Sequence, residues 1–366
     1  MTGWYTRKAD HGQSAGGATA APGADRRVPW WLHAFAGAWV AAMLALATTR
    51  ESTYSELMQE DRFVEWWTAC LFLAAALSFA VAAIRGRRLL DGGVALFCLA
   101  AAGEEVSWGQ RIFGYLPPEA FLARNAQQEA NLHNLVEAFG QPKWTLVAIL
   151  VAYGAVAPLV ARTQAGRLLA ERLRGTVVPD ALALWFAIAA VILVWYPVRF
   201  TGEWIEALAG GLFLFAAPVP PAWSAGAAIA SALLSIGAQE AGARQRTRPE
   251  LAACATAEIR ALLADVAADS SSPVSAGSGR LHRRLHTLWL NGDLSPDDAV
   301  RFRAAPCDEP PARLQRRRYG VDPWGTAYWV EAVNEQGARR ITVYSFGPNR
   351  RRDERGGDDV MLTTRR

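Results

Sequence analysis

LLDGGVALFCLAAAGEEVSWGQRIFG, Leu89 to Gly114, runs from an apolar stretch of membrane-spanning character straight into two adjacent carboxylates, Glu104 and Glu105. Apolar runs of similar length lie on either side of it. The whole chain of 366 residues is 52% hydrophobic, yet its mean hydropathy is only +0.07, so strongly apolar blocks are averaged with strongly polar ones. Two kinds of protein are joined in one chain.

A bilayer takes about 20 apolar residues to cross as a helix. Runs of that kind fall at about 29–48, 63–84, 91–113, 143–162, 179–198, 203–219 and 220–238. Trp30, Trp31, Trp66, Trp67, Trp144, Trp195 and Trp223 sit near their ends, where an interfacial aromatic belt belongs. Pro218, Pro220 and Pro221 mark either a tight hairpin or one broken helix, so the count is seven spans or six. The expected fold is therefore an all-α transmembrane bundle of six to seven helices, followed by a small α+β domain with an antiparallel sheet. Its segments are a polar leader at 1–28, the multi-pass domain at 29–239, a helix and Ser/Gly linker at 240–280, and a soluble domain at 281–366.

Arginines set the orientation. Arg26 and Arg27 precede the first span, Arg85, Arg87 and Arg88 follow the second, and Arg162, Arg167, Arg172 and Arg174 follow the fourth; short basic loops stay in the cytoplasm. The N-terminus is expected inside, and seven spans would put the tail outside, while Arg244, Arg246 and Arg248 after the last span argue for inside. The net charge of +4 and pI near 9.0 follow from these loops and a solvated surface, and imply no nucleic acid.

With that topology, the polar groups of the apolar region gather near one outer face. Glu60, Asp61 and Glu65 enter the second span, Glu104 and Glu105 leave the third, QQEANLHN (Gln127–Asn134) precedes the fourth, and Glu203 and Glu206 enter the sixth. Ionisable groups at that depth cost about 2.5–3.5 kcal/mol each on insertion scales unless they pair, bind an ion or line water. Glu60, Asp61, Glu203 and Glu206 also suit helix N-termini, where the macrodipole favours negative charge. Glu104 and Glu105 stand at the opposite end of a helix, where it does not. Glu129 and His133 are four apart and share a helix face. Glu104, Glu105, Glu129 and His133 are thus the candidate catalytic groups, and Glu105, Glu129 and His133 the candidate ligands of a divalent transition metal. His33 reads as a packing residue.

EDRFVEW (Glu60–Trp66), GEEVSWGQRIFG (Gly103–Gly114) and QEANLHNL (Gln128–Leu135) together resemble a group of bacterial multi-pass membrane proteins with GEE-SWGQR and NLHN motifs. The resemblance covers about 55–215 and implies a bacterial inner-membrane protein with a polar site, without naming a reaction. CAAX-type intramembrane metalloproteases also carry paired glutamates, but the arginine of their first motif is replaced here by Gly109, and of their histidines only His133 is available.

Beyond Gln239, an amphipathic helix is expected at about 249–268 with Leu251, Ile259, Leu262, Leu263 and Val266 inward, then a Ser/Gly break. His282 and His286 share a helical face among arginines and read as solvated. AYWVEAV and RITVYSF are strands joined by NEQG, a hairpin signal. This end resembles the C-terminal region of the type II secretion major pseudopilin, protein G. Asp322, Pro323, Trp324, Gly325 and Tyr328 fit its DPWG turn, and Ser345, Gly347, Asp353, Asp358 and Asp359 its calcium loop, with Asn349 where the family usually has aspartate. The resemblance implies a calcium ion held by Ser345, Asn349, Asp353, Asp358 and Asp359, with Arg350, Arg351 and Arg352 offering arginine-aspartate pairing instead. It implies an envelope assembly, export or partner-binding module; a membrane-embedded metal-dependent hydrolase acting on lipid or peptide is the alternative. Cys254 and Cys307 would pair if the tail is periplasmic and stay reduced if it is cytoplasmic.

Overall fold

The computed structural model describes residues 28–58, 62–110, 142–268, 272–281, 285, 320–348 and 357–365, with gaps of one or a few positions inside these ranges. Its first part is helical: α1 (Trp30–Thr49), α2 (Glu51–Leu57), α3 (Phe63–Gly86), α4 (Leu89–Glu105), α5 (Pro142–Ile149), a π-helical stretch (Leu150–Val156), α6 (Ala157–Ala161), α7 (Gln164–Leu173), α8 (Asp180–Trp195), α9 (Thr201–Ala216), α10 (Pro221–Arg246) and α11 (Pro249–Ala268). Four helices are long and apolar enough to cross a membrane: Trp30–Thr49, Phe63–Gly86, Lys143–Ala161 and Pro221–Gly242. A fifth, Asp180–Trp195, is apolar but shorter.

These helices expose what a water-soluble protein hides. Ile84, Leu96, Leu184, Val191, Leu233 and Leu234 all stand on the outside. So much contiguous apolar exposure suits hydrocarbon rather than water. The inside is one core to which α1, α3, α4, α8 and α9 all contribute. At its centre α9 is covered on nearly every side, and Trp204, Phe213 and Leu214 are fully buried. α9 packs against α3, α8 and α10. Gly210 explains the close approach to α3, because a Cβ there would lie 3.1 Å from the Leu71 Cβ. Small residues let helix backbones meet where no hydrophobic drive separates protein from lipid. His33 is a packing residue, as expected from the sequence: its Nδ1 accepts the Trp185 indole N–H at 2.9 Å, tying α1 to α8.

The tail is an antiparallel sheet in the order β1 (Gly279–Arg280), β2 (Trp329–Glu335), β3 (Ala338–Ser345) and β4 (Val360–Arg365). β2 and β3 form the expected hairpin, with Glu335 opposite Ala338 and Gly337 turning at φ +83°. β4 lies beyond the two strands expected from the sequence. α11 spans the expected residues and packs on β3 and β4, where Ile259, Leu262 and Val266 meet Val330, Ile341 and Val343 in one core. The helix therefore belongs to the tail's core.

Candidate functional sites: two settings for carboxyl groups

α4 stops at Glu105, eight residues short of the expected end of its span, and its stop is unusual. Ser107, Trp108 and Gly109 have φ of 47°, 52° and 88°. Left-handed backbone at a non-glycine residue costs on the order of 1–3 kcal/mol, and it clusters where surroundings over-determine it. Here the surroundings are the motif itself. The Trp108 indole N–H donates to Glu104 Oε1 at 2.5 Å, and the ring lies so close over Gly103 that a Cβ there would meet it at 3.0 Å. In the stretch GEEVSWG, the glycine makes room for the tryptophan and the tryptophan holds the first glutamate.

The second glutamate faces elsewhere, as consecutive helical residues must. The carboxyl of Glu206, on α9, has Glu105 of α4 and Glu65 of α3 within electrostatic reach. Three helices thus contribute one carboxyl each to the same neighbourhood.

An aromatic frame surrounds the start of α9. The Tyr54 hydroxyl donates to the Arg199 carbonyl at 2.5 Å and accepts the Trp204 indole N–H at 3.1 Å, while the Trp39 N–H donates to the Trp204 carbonyl at 3.0 Å. Burial pushes the Tyr54 hydroxyl above the ordinary tyrosine range; the Trp204 bond pulls it back, and Tyr196 and Glu203 push it further up.

Of the residues expected at this site, Glu105 is in the carboxyl contact and Glu104 has Trp108 as a partner. Glu60, Asp61, Glu129 and His133 lie outside the described residues. Glu203 occupies the first turn of α9, as a helix-start carboxylate does, and is near Tyr54. Glu206, three residues on, has Glu105 and Glu65 in its electrostatic neighbourhood. Its sequence signal was available: as the sixth residue of α9 it is past the turn that the helix dipole serves. Among the described residues, no group of three His, Cys, Asp or Glu side chains has the geometry to hold a metal ion.

The tail treats its acids differently. Asp322 is fully buried. Its Oδ1 accepts the backbone N–H of Trp324 at 3.0 Å and of Thr326 at 2.8 Å, and its Oδ2 accepts the Ser345 hydroxyl at 2.6 Å. With Gly325 at φ +85°, the DPWG segment forms the expected turn and is tied to the end of β3. Glu258 of α11, also fully buried, accepts the Tyr328 hydroxyl at 2.5 Å.

Of the expected calcium ligands, Ser345 is buried in that tie, where it also accepts the Gly347 N–H at 3.2 Å. Asp358 is exposed and Asp359 half-buried just before β4. Asn349 and Asp353 lie outside the described residues. The loop is closed at its base: Gly347 has φ +64°, and a Cβ on it would lie 2.2 Å from the Asp358 carbonyl oxygen. Cys70 and Cys98 are free, whereas Cys254 is disulfide-bonded; Cys307 lies outside the described residues.

No protein family, curated protein or solved structure matches this chain.

Proposed function

We propose that this chain is an integral protein of a bacterial inner membrane, with six or seven spans and a cytoplasmic N-terminus. Its periplasmic tail serves as the partner-binding head of an envelope assembly or export module. The observation that carries the reading is the disulfide at Cys254, since disulfides persist outside the cytoplasm and are rare within it. The resemblance of the tail's DPWG turn and strand pair to the pseudopilin protein G supports the assembly role, and Asp353, Asp358 and Asp359 give its loop the hard oxygens that calcium takes.

The test is topological. In spheroplasts, added protease should remove the tail, and Cys254 should resist alkylation until a reductant is supplied. A tail that survives protease until the membrane is opened, with Cys254 alkylated at once, would place it in the cytoplasm and end this reading.

The contact of Glu105 with Glu206, beside Glu65, favours a second reading: a membrane-embedded metal-dependent hydrolase acting on lipid or peptide. Adjacent carboxyls suit both tasks such a site needs, since one can ligate a cation while another takes a proton from the attacking water. Glu105, Glu129 and His133 would be the ligands, with Glu104 and Glu206 beside them. Purified full-length protein should then carry zinc, manganese or iron in stoichiometric amount, lost in Glu105→Gln and His133→Ala. Protein purified without chelator that holds none of these metals would remove the enzyme reading and leave the first untouched.

A further inference from the structure

Among the described residues β4 is the last strand of the tail's sheet, joined to β3 on one side and to no strand on the other. Its register with β3 runs unbroken through six residue pairs, from Ser345 opposite Val360 to Arg340 opposite Arg365. Natural sheet edges are usually blunted by proline, lysine or a bulge. The stretch VMLTT at the heart of β4 has none of these, and Met361 is 62% exposed. The core also thins toward this edge: Ile341 and Val343 of β3 are buried, whereas Val360 and Leu362 of β4 are only partly covered.

Charge says what fits there. The segment 358–366, DDVMLTTRR, is two acids, five uncharged residues and two arginines. Laid antiparallel on a second copy of itself about Leu362, it sets Asp359 opposite Arg365, Asp358 opposite Arg366 and Met361 opposite Thr363, each twice by symmetry. Laid parallel, it sets acid on acid and arginine on arginine. Opposite charges directly across a sheet stabilise it, and like charges there destabilise it. Within its own sheet Arg365 meets a like charge, since it stands opposite Arg340, and Arg340 is itself paired with Glu335 at 3.1 Å. Arg365 is exposed and makes no salt bridge among the described residues.

We propose that β4 is the strand through which the tail self-associates: two copies pair their β4 edges antiparallel and join two four-stranded sheets into one. The interface is isologous, the closed arrangement that most homo-oligomers use. Main-chain bonds along the edge supply the cohesion, and the charges fix direction and register. A single strand pair is a small interface, so the copies associate where one membrane holds both and raises their effective concentration. The proposal rests on the reading of the tail as a partner-binding head, and it names the partner as a second copy of this chain. It depends neither on calcium nor on which side of the membrane the tail occupies.

The experiment uses the full chain, purified and reconstituted in liposomes with chelator present, so that calcium on Asp358 or Asp359 plays no part. One copy carries Met361→Cys and the other Thr363→Cys; after mild oxidation, disulfide-linked dimers are read on non-reducing gels and by peptide mass spectrometry. The mixture should cross-link several-fold more than either copy alone, because opposed Cβ atoms lie about 4.5–5.5 Å apart and diagonal ones about 7–8 Å. Arg365→Glu in both copies gives Arg340 an opposite charge within its own sheet, which keeps the strand folded, but sets acid against acid between copies. Cross-linking should then fall about tenfold, the factor that 1.4 kcal/mol gives. Asp359→Lys in both copies should do the same. With Arg365→Glu on the Met361→Cys copy and Asp359→Lys on the Thr363→Cys copy, every opposition is again of unlike charge, and cross-linking should return. Cross-linking indifferent to these reversals would overturn the proposal, as would a stronger link between two Thr363→Cys copies than in the mixture, which is the parallel arrangement. No cross-link at all would overturn it too, and maleimide then separates the causes. Introduced cysteines that react freely leave an open edge and the partner-binding reading intact; cysteines that are shielded show that another segment of this chain covers β4, and that reading loses its edge as well.

Discussion

Asp322 in the tail and Glu206 in the membrane part are both carboxyls held within folded structure, and they are satisfied in opposite ways. Asp322 is met by two backbone N–H groups and a serine hydroxyl; nothing further is required of it, and its role is to fasten a turn to a strand. Glu206 is met by another carboxyl, Glu105, with a third, Glu65, nearby. Acceptors cannot satisfy one another without a proton or a cation between them. An acid met by donors is part of the architecture, whereas acids that neighbour one another depend on the proton, cation or donor that lies between them. The second kind is where chemistry is to be sought.

The comparison breaks most visibly at Asp322. Asp322→Ala removes the acceptor of three hydrogen bonds at once. Bonds to a charged acceptor are worth about 1.5–3 kcal/mol each, though not additively; a loss of about 3–5 kcal/mol is expected, as when a buried polar network is broken. Limited proteolysis of the full chain should then cut within the DPWG turn and β2 while the membrane helices remain intact. A tail as resistant as wild type would mean that the turn is held by β-pairing alone.

Calcium comes next in size, and it asks whether the tail also has acids of the second kind. If an ion holds Asp353, Asp358 and Asp359 together, binding to the folded state alone stabilises it by about 2.7 kcal/mol at one hundred times the dissociation constant. The tail should melt higher in calcium than in chelator, and Asp358→Ala should abolish the difference. Arginine-aspartate pairing predicts no calcium response and a melting temperature that falls with added salt, because ions screen exposed pairs.

What the sequence revealed and what it concealed divide along the same line between local and long-range causes. The expected spans at 29–48, 63–84 and 143–162 match Trp30–Thr49, Phe63–Gly86 and Lys143–Ala161 closely, because run length is a property of neighbouring residues. The hairpin and α11 were legible for the same reason. β4 was not, since VMLTTR is a strand only by pairing with β3, with Ser345 opposite Val360. Nor was the early end of α4: left-handed backbone at Ser107 and Trp108 is no preference of serine or tryptophan, and it exists because Trp108 finds Glu104 and the space above Gly103. Glu206 has Glu105 and Glu65 as electrostatic neighbours because packing against α3 and α8 sets the rotation of α9, and no spacing within TGEWIEAL reports that.

Tyr54 probes the aromatic frame at the start of α9 with a smaller effect. Tyr54→Phe leaves the Trp204 N–H and the Arg199 carbonyl without the hydroxyl that joins them, which costs about 1–3 kcal/mol where the groups stay buried. The wild-type hydroxyl adds a pH signature. Its folded pKa is raised, so the folded state holds the proton more tightly than the unfolded one. That stability is fully present below the unfolded value near 10 and is lost as pH rises through the folded value. Thermal unfolding in detergent should fall more steeply above that pH for wild type than for Tyr54→Phe. Parallel curves would show that Tyr54 is solvated.

The smallest effect lies inside the pair Glu104–Glu105 and is the sharpest form of the comparison. Glu104 has a neutral donor, the Trp108 indole, and so resembles Asp322; Glu105 neighbours another carboxyl, Glu206. Trp108 is 43% exposed, so losing the bond in Trp108→Phe should cost only about 0.5–1.5 kcal/mol, the usual net worth of such a bond. Glu104→Gln keeps an acceptor for the indole and should cost less still. Neither change should alter how many protons or cations the carboxyl contact holds, whereas Glu105→Gln should alter it even if stability barely moves. The readout is the carboxyl stretching region of the infrared spectrum, taken as a difference between wild type and each variant. A protonated carboxyl band lost in Glu105→Gln and retained in Glu104→Gln is the expected pattern. Should the two variants give the same difference spectrum, the two glutamates would be doing one job, and the division drawn between them would fail.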